Sequence, residues 1–464
     1  MKKYPEQLRQ FSILVLVIGA VLELFSFTAK GQTPTPAADK FATADAISTE
    51  AIALFEKGTA ESLKEAEPKF EAAQKLYQDA GSNAGVAYCL VFLGRINFSA
   101  RNMQRALELF SQAVPLLKTI DDKSGLAVTI NNIGAVYREF GDKQKALDLY
   151  SQALPIYSGL GDKSGEATER NNIGLLYDEM GQGQKALELY NQALPLFIAA
   201  GNLAGQATTL NNIGKHYSGA GEILKSLEFY ARALPLHKTS GNKGGEAGTL
   251  INIGSAYAVL NDQRKALIYY LQALPLLKEI GDSGGLGILI NNIGGAFNDL
   301  GEKQKAYDFF SQALVIFRTL GNKGSEASAL DNIGLIYLDS DERPKAYEYF
   351  SQALPLYKAV GDREGEATIL TNIGSYFYKQ GDLVKALDYF NQSLPVYRSI
   401  GAQRGEALTL NNIGGVYDDL GDARKALVSY TRALPIYIAI GTKSGEAVTL
   451  NNLMYLYITL GNRR

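Results

Sequence analysis

The sequence contains little of the side-chain chemistry on which most enzymes depend. Among its 464 residues there are one cysteine and two histidines. Cys89 alone allows neither an internal disulfide nor a cysteine-based metal cluster, and we interpret it as a small buried hydrophobe on a helix. Neither His216 nor His237 has a sequence-near cysteine, serine or carboxylate in a known triad pattern. We therefore predict no catalytic residues, no metal site and no cofactor.

The chain also has almost no net charge. It contains 46 Lys and Arg residues against 48 Asp and Glu residues, a formal net charge of -2. Binding to nucleic acid requires a basic stripe that neutralises phosphates, and the Lys and Arg positions do not form one. No glycine-rich phosphate loop follows a strand, because no strands are evident. The composition therefore predicts no nucleic-acid partner.

An apolar run at the N terminus, residues 11–22, follows three basic residues and is too short for a comfortable membrane span of roughly 20 apolar residues. Small residues stand at the expected cleavage positions, Ala29 and Gly31. We predict that residues 1–31 are a secretory signal peptide and that the protein is exported, to a periplasm or to the medium, with no membrane attachment after cleavage. An uncleaved N-terminal anchor is the competing interpretation. Residues 32–43 are predicted to be a polar extended linker.

The rest of the chain consists of repeats of constant length, without insertions. A four-residue motif, Asn-Asn-Ile-Gly, recurs at multiples of 40 residues, and three variants of it hold the same register. A strict period of this length predicts a solenoid whose units bury their apolar faces against their neighbours. The motif opens at Asn131, Asn171, Asn211, Asn291 and Asn411, and the variants open at Ile251, Asp331 and Thr371.

Each unit contains two amphipathic helices. In the unit of residues 124–160, apolar and small residues recur at helical spacing in two groups. Between the groups a column of Gly, Asn or Asp, such as Gly141 and Asn261, predicts a helix end in the left-handed conformation. The acid that follows, such as Asp142, is predicted to cap the second helix. The two groups are Ala127, Ile130, Ile133, Gly134 and Tyr137, then Ala146, Tyr150, Ala153 and Leu154.

Counted in this register, residues 44–464 form one array of about ten helix pairs followed by a lone helix, residues 444–460. The fold class is therefore predicted to be all-α, a solenoid of antiparallel helix pairs. The lone helix carries apolar residues with no second helix to cover them, so either it is an unusually apolar cap or something packs on it, for example a second copy in end-to-end association. These residues are Leu453, Met454, Leu456 and Ile458.

These columns resemble the tetratricopeptide repeat, which implies a right-handed superhelix that binds proteins. Ile133, Gly134 and Tyr137 match the first helix of that repeat, and Ala146, Tyr150 and Ala153 match the second. Two features depart from the usual pattern: Ile130 replaces a large aromatic residue, and the period is 40 rather than 34. The longer period resembles the variant found in kinesin light chains, in Pins-type polarity scaffolds and in bacterial proteins that carry a CHAT protease domain.

The resemblance implies that the first helices line a concave groove and that two asparagine columns point into it. An asparagine amide offers a donor and an acceptor, so a ladder of amides could hold the backbone of an extended peptide. The alternative interpretation, which is compatible, is that each asparagine ties neighbouring first helices together through backbone hydrogen bonds. The candidate peptide-binding residues are Asn131, Asn132, Asn171, Asn172, Asn211, Asn212, Asn252, Asn291, Asn292, Asn332, Asn372, Asn411 and Asn412.

We therefore expect an exported, non-enzymatic scaffold that binds a protein or peptide segment in its groove. A variable column that includes Glu139 and Glu179 gives the groove an acidic edge, which favours a partner with basic or small polar residues. The alternative function is the sensor or regulatory arm of a CHAT-type peptidase system whose catalytic domain is absent from this chain.

Overall fold

The computed structural model describes residues 36–338, 340 and 342–461, and the regular elements in these residues are twenty-one α-helices. In chain order they are α1 (Pro36–Lys57), α2 (Ala60–Asp79), α3 (Asn83–Ser99), α4 (Met103–Thr119), α5 (Lys123–Glu139), α6 (Lys143–Leu160), α7 (Lys163–Glu179), α8 (Gly183–Ala199), α9 (Leu203–Gly219), α10 (Ile223–Ser240), α11 (Lys243–Val259), α12 (Gln263–Ile280), α13 (Ser283–Asp299), α14 (Lys303–Thr319), α15 (Lys323–Leu338), α16 (Arg343–Val360), α17 (Arg363–Lys379), α18 (Leu383–Ser399), α19 (Gln403–Asp419), α20 (Ala423–Ala439) and α21 (Lys443–Gly461).

Consecutive helices pack as pairs, from α1 with α2 to α19 with α20, and α21 follows without a second helix in the described residues. Short loops join the two helices of a pair, so they run antiparallel. The prediction of an all-α solenoid is confirmed. None of the described helices combines the length and the apolar character that crossing a bilayer requires.

The chain divides into two compact units, one that ends at Gly281 and one that begins at Asp282. The first unit contains α1 to α12 and the second contains α13 to α21. Within each unit, every helix packs on the next along the chain, and the odd-numbered helices contact the next odd-numbered helix. We call the odd-numbered helices of a unit its first-helix layer.

The N-terminal boundary differs from the prediction. The predicted signal peptide, residues 1–31, and residues 32–35 of the predicted linker lie outside the described residues. Residues 36–43, which were also predicted to be linker, are the first two turns of α1. Proline is well tolerated at the first position of a helix, as Pro36 is here, because its missing N–H has no helical partner there. Phe41 then anchors these turns, since its ring packs edge-on against Tyr77 with centroids 5.5 Å apart.

Backbone sterics fix where the helices end, as the turn column predicts. Gly141 and Asn261 both lie in the left-handed region, with φ of 81° and 60°. The aspartates of the next column also cap as predicted: Asp142 Oδ1 accepts a hydrogen bond from the backbone N–H of Lys145 at 3.1 Å. Where Glu or Gln takes this place, at Gln182, Glu222, Glu302 and Glu342, no side-chain cap forms.

Glycine and alanine columns allow the two helices of a pair to approach closely. Ala146 is fully buried, and the Gly134 backbone lies against the face of Tyr150. A methyl group on Gly134 would lie 2.6 Å from Tyr150 Cε1, so a larger residue there would displace the ring. The same contact joins Gly414 to Tyr430 in the second unit.

Candidate functional site

The asparagine columns form side-chain hydrogen bonds between successive helices of the first-helix layer. In each bond, Nδ2 of an asparagine donates to the side-chain oxygen of the residue 41 positions earlier. The alternative interpretation expected such ties to use the backbone, whereas the bonds that form join side chains. We call this set of bonds the asparagine ladder. Its bonds are Asn212 to Asn171 at 3.2 Å, Asn252 to Asn211 at 3.0 Å, Asn332 to Asn291 at 3.2 Å, Asn372 to Asp331 at 2.8 Å and Asn452 to Asn411 at 3.3 Å.

Other candidate asparagines have no suitable residue 41 positions earlier. Asn132, Asn292 and Asn412 follow Val91, Ile251 and Thr371 at that spacing. Valine and isoleucine have no side-chain acceptor, and the Thr371 hydroxyl already bonds to Ala367 O at 2.9 Å and to Ser393 Oγ at 2.7 Å. Asn132 Nδ2 is accordingly buried without a partner. At these three positions the residue 41 places earlier explains why no ladder bond forms.

One break in the ladder has a different cause. Asn172 stands 41 residues after Asn131, but Asn131 donates its Nδ2 to Oε1 of Glu169. Most equivalent positions of Glu169 hold Thr, and at one of them Thr249 Oγ1 donates to Asn211 Oδ1 at 3.3 Å. Glu169 thus accepts from the Nδ2 group of Asn131, whereas the equivalent Thr249 donates to the oxygen of Asn211.

Glu169 is completely buried, and its Oε2 has no hydrogen-bond partner. Burial disfavours the charged carboxylate and raises the pKa of Glu169 to about 8, although the hydrogen bond from Asn131 acts in the opposite direction. The carboxyl group is therefore mostly protonated at neutral pH.

The ladder residues are buried or half-buried, and none of them is fully exposed to solvent. A carboxamide has two N–H donors and one oxygen, so a ladder bond between two asparagines leaves the oxygen of the donating asparagine and the Nδ2 group of the accepting one available. Asn212 Oδ1 and Asn171 Nδ2 are examples. The two interpretations drawn from the sequence, a tie between helices and a strip of peptide-binding groups, thus remain compatible.

The predicted acidic edge is partly neutralised. Glu139 forms an ion pair with Arg101 at 2.7 Å, and Glu179 forms one with Arg138 at 2.8 Å. Arg138 belongs to the first helix α5, whereas Arg101 lies in the loop between α3 and α4. The argument for a basic partner is weaker at these two positions than the sequence suggested, because each carboxylate already has a counter-ion.

The structure brings His216 to a carboxylate that sequence reasoning missed. His216 Nδ1 lies 2.6 Å from Asp178 Oδ1, and Tyr190 OH donates to Asp178 Oδ2 at 3.0 Å. His216 and Asp178 are 38 residues apart, the separation that also joins Glu169 to Asn131. No group of three or more His, Cys, Asp or Glu residues in the described part of the chain could hold a metal ion. Cys89 is buried, as its interpretation as a small hydrophobe requires.

A cavity of about 340 Å³ adjoins the ladder in the first unit. It is lined by Asn211, Asn212 and Lys215 of α9, His237 of α10 and Asn252 of α11, together with neighbouring residues. His237, for which no catalytic role was predicted, is 2% exposed.

The terminal helix α21 has one buried and one exposed apolar face. Leu453 and Leu456 are buried against α20, whereas Met454 and Ile458 are 49% and 51% exposed. Only two of the four residues predicted to be uncovered are therefore exposed, and Tyr455 and Tyr457 add to the same surface.

The family model described as "Tetratricopeptide repeat" matches segments of the chain that together extend from residue 102 to residue 439. The matched segments are residues 102–159, 125–199, 205–279, 286–359, 325–399 and 365–439. No curated protein matches the sequence.

Two solved structures share the fold at low sequence identity. The apo form of the quorum sensor NprR from B. thuringiensis is 16% identical, with a TM-score of 0.56 over 75% of this chain and 95% of its own. A signal transduction ATPase with numerous domains from Pyrococcus horikoshii, which carries a tetratricopeptide repeat sensor, is 14% identical. Its TM-score is 0.58 over 78% of this chain, which spans 55% of that protein.

Proposed function

The chain belongs to the tetratricopeptide repeat family, and from this premise we propose that it is an exported, non-enzymatic scaffold that binds an extended segment of a partner protein along its first-helix layer. Proteins of this fold serve as interaction or regulatory scaffolds. The observation that carries the finer proposal is the asparagine ladder, in which each rung formed by two asparagines leaves one donor group and one acceptor available.

The spacing of the rungs suits an extended peptide. Packed helices lie about 8–10 Å apart, and an extended chain rises about 3.3 Å per residue. A peptide that crosses the first helices would therefore meet a new rung about every three residues. Each rung would offer its carboxamide groups to a peptide N–H or C=O, whatever side chains the peptide carries.

Magnitudes limit the affinity that the ladder could supply. A hydrogen bond contributes about 0.5–1.5 kcal/mol net, and roughly six to eight of them, less the cost of ordering the peptide, correspond to about micromolar binding. Selectivity must then come from side-chain contacts outside the ladder.

Export follows from the N-terminal residues 1–31, whose pattern is that of a signal peptide. Fractionation of cells that express the full chain, with N-terminal sequencing of the product, tests it. We expect a processed protein in the envelope or the medium that begins near Gln32. An unprocessed chain in the membrane fraction would instead support the uncleaved anchor.

Variants that separate binding from folding test the groove. Asp331 already occupies a first-asparagine position and still accepts from Asn372 at 2.8 Å. Asn171→Asp and Asn291→Asp should therefore keep their ladder bonds while removing the free Nδ2 donors. We expect the double variant to lose partners in a pull-down from the envelope or the medium. Burial raises the pKa of Asp331 to about 6, so any fall in the melting temperature of the variant at pH 7 should be recovered at pH 5, where a buried aspartate is protonated. The control is Asn191→Asp, an exposed asparagine on the second helix α8. Identical partner lists for all three proteins would count against the ladder as a binding surface.

A further inference from the structure

The cavity beside the ladder arises where the sequence departs from its own repeat. At the position of His237 the other units hold a larger or wholly apolar side chain, and at the position of Gly248 they hold a residue with a side chain. The equivalents of His237 are Leu117, Tyr157, Phe197, Leu277, Phe317, Tyr357, Tyr397 and Tyr437, and those of Gly248 are Val128, Thr168, Thr208, Ile288, Ser328, Thr368, Leu408 and Val448.

His237 and Gly248 both lack side-chain atoms that other units place in the same region. Four repeats further along, Tyr397 OH lies 3.0 Å from Thr368 Oγ1, so the phenol crosses from the second helix to the first. The corresponding pair here is Thr208 and His237, and both residues line the cavity. The imidazole ring is shorter than a phenol and does not carry its hydroxyl. On the facing helix α11, a Cβ added to Gly248 would meet nothing within 4 Å.

A third departure places a cation at the cavity. Lys215 lines it, at a position where most units have a small residue such as Ala135, Ser255 or Ser375. No acidic residue lines the cavity. No ion-pair partner for Lys215 occurs in residues 36–461 as far as they are described. Desolvation lowers the pKa of Lys215, and the nearby charge of Arg138 lowers it further. The electrostatics of this site therefore favour an anion.

The remaining polar groups can serve an anion as well. His237 Nδ1 is buried without a partner, and burial lowers the pKa of this imidazole to about 4, so the ring is neutral at pH 7. Its N–H donates in one tautomer. Asn211 Oδ1 accepts hydrogen bonds from Asn252 Nδ2 at 3.0 Å and from Thr249 Oγ1 at 3.3 Å. The Asn211 Nδ2 group is left as a donor.

We propose that this cavity binds a single carboxylate carried on a short carbon chain, with Lys215 as its counter-ion. A volume of about 340 Å³ lies at the lower end of the range of ligand pockets, about 300–1,000 Å³, so one side chain or one small acid fits. The glycines and Ile251 leave room for an aliphatic stem beside the polar groups. A basic side chain is disfavoured, because it would meet Lys215.

The carboxylate has two sources. It belongs either to an Asp or Glu side chain of the bound segment, in which case the inference rests on the proposed function and names a specificity determinant of the partner, or to a free small acid. Four probes distinguish them: glutarate, its neutral analogue glutaramide, and two pentapeptides with acetylated and amidated ends, Ala-Ser-Glu-Ser-Ala and Ala-Ser-Gln-Ser-Ala. The full chain is titrated with each probe, and binding is measured by saturation-transfer NMR and calorimetry.

We expect at least one acid probe to bind about tenfold or more tightly than its matched amide. Binding of glutarate without the Glu peptide identifies a free acid as the ligand, and binding of the Glu peptide identifies the partner side chain. If neither acid binds more tightly than its amide, the inference is wrong.

Variants that restore the repeat consensus test the cavity without endangering the fold. Lys215→Ser removes the cation, while His237→Tyr and Gly248→Thr fill the cavity with residues that other units hold at these positions. We expect each to weaken carboxylate binding at least about tenfold with no fall in melting temperature. The matched control is Ser375→Lys, which adds a cation four repeats away, beside Tyr397, and should create no carboxylate binding.

Unchanged carboxylate binding in the filled variants, or equal binding gained by Ser375→Lys, would overturn the inference. These outcomes are independent of the pull-down with the Asn171 and Asn291 variants, because neither residue lines the cavity, so the cavity and the ladder can fail separately.

Discussion

The region from α9 to α11 and the region from α17 to α19 have the same helices in the same register, four repeats apart, but they differ in what fills the space between those helices. In the second region Tyr397 bonds to Thr368, with Leu408 on the following helix. In the first, the equivalents Thr208, His237 and Gly248 line a cavity. A repeat can thus form a site by losing side-chain atoms, because the neighbouring pairs keep the backbone in place.

The largest effect should come from making the second region resemble the first. Tyr397→His with Leu408→Gly removes buried ring atoms and a hydrogen bond, and we expect the free energy of unfolding to fall by about 3 kcal/mol. Urea titration measures the loss, and hydrogen exchange should place it in α17 to α19. Tyr397→Phe, which removes only the hydroxyl, should cost about 1 kcal/mol. If the double variant were as stable as the wild type, packing would not be what distinguishes the two regions.

A second departure from the repeat, Glu169, should affect stability through pH. Its pKa in the folded protein, about 8, lies above the ordinary value of 4.5, so the folded state holds the proton more tightly. The stability that this contributes is present below about pH 4.5 and is lost as pH rises through about 8. At pH 8 we expect the free energy of unfolding of Glu169→Thr to exceed that of the wild type by about 2 kcal/mol. The full shift in the pKa of Glu169 corresponds to ~5 kcal/mol. The expected difference is smaller because the site can relax.

The measurement is the free energy of unfolding of both proteins from pH 4 to pH 9, with Glu188→Gln on the exposed face of α8 as the control. The difference between Glu169→Thr and the wild type should grow with pH, whereas that of the control should stay flat. The variant should also free Asn131 to accept from Asn172 and so add one rung to the ladder. A difference that did not change with pH would show that Glu169 is not held as a buried neutral acid.

Making the first region resemble the second should have a smaller, stabilising effect. His237→Tyr fills part of the cavity and gives Thr208 the partner that Thr368 has, and we expect the free energy of unfolding to rise by about 1 kcal/mol. Gly245 lies against the His237 imidazole in the same way as Gly165 lies against the Tyr157 ring. Because both positions hold glycine, the larger ring of a tyrosine should fit at position 237. Differential scanning calorimetry measures the change. A clear loss of stability would mean that the cavity cannot accommodate the phenol ring of a tyrosine.

The smallest difference should separate two asparagines of the same column. Asn212 donates to Asn171, so Asn212→Ala leaves a largely buried oxygen without its partner and should cost about 1–2 kcal/mol. Asn132 Nδ2 has no partner to lose, and Asn132→Ala should cost less than about 0.5 kcal/mol. Urea titration of both variants checks the contrast. Equal losses would mean that the ladder bonds do not stabilise the fold.

Much of the fold follows from the spacing of residues. The 40-residue period, the left-handed position at Gly141 and the cap at Asp142 are local properties that backbone sterics and side-chain length determine. The start of α1 was missed because a polar stretch with two prolines looks extended in sequence, whereas Phe41 gains its packing only from Tyr77 on the next helix.

The candidate site was predicted less completely than the fold. The asparagine columns were visible, but the ladder bonds depend on an offset of 41 residues and the pair of Asp178 with His216 on an offset of 38. These offsets reflect how neighbouring helices are staggered when they pack, which the 40-residue period alone does not give.

The sequence by itself determined that helices pair, where they end and which columns are small, because these depend on the conformational preferences and burial of residues a few positions apart. Only the tertiary structure decided that Glu169 is buried beside an amide, that the carboxylates of Glu139 and Glu179 have arginine partners, and that His237, Gly248 and Lys215 share a cavity. Contacts between helices depend on stagger and side-chain direction, and several arrangements of side-chain partners are compatible with one repeating pattern.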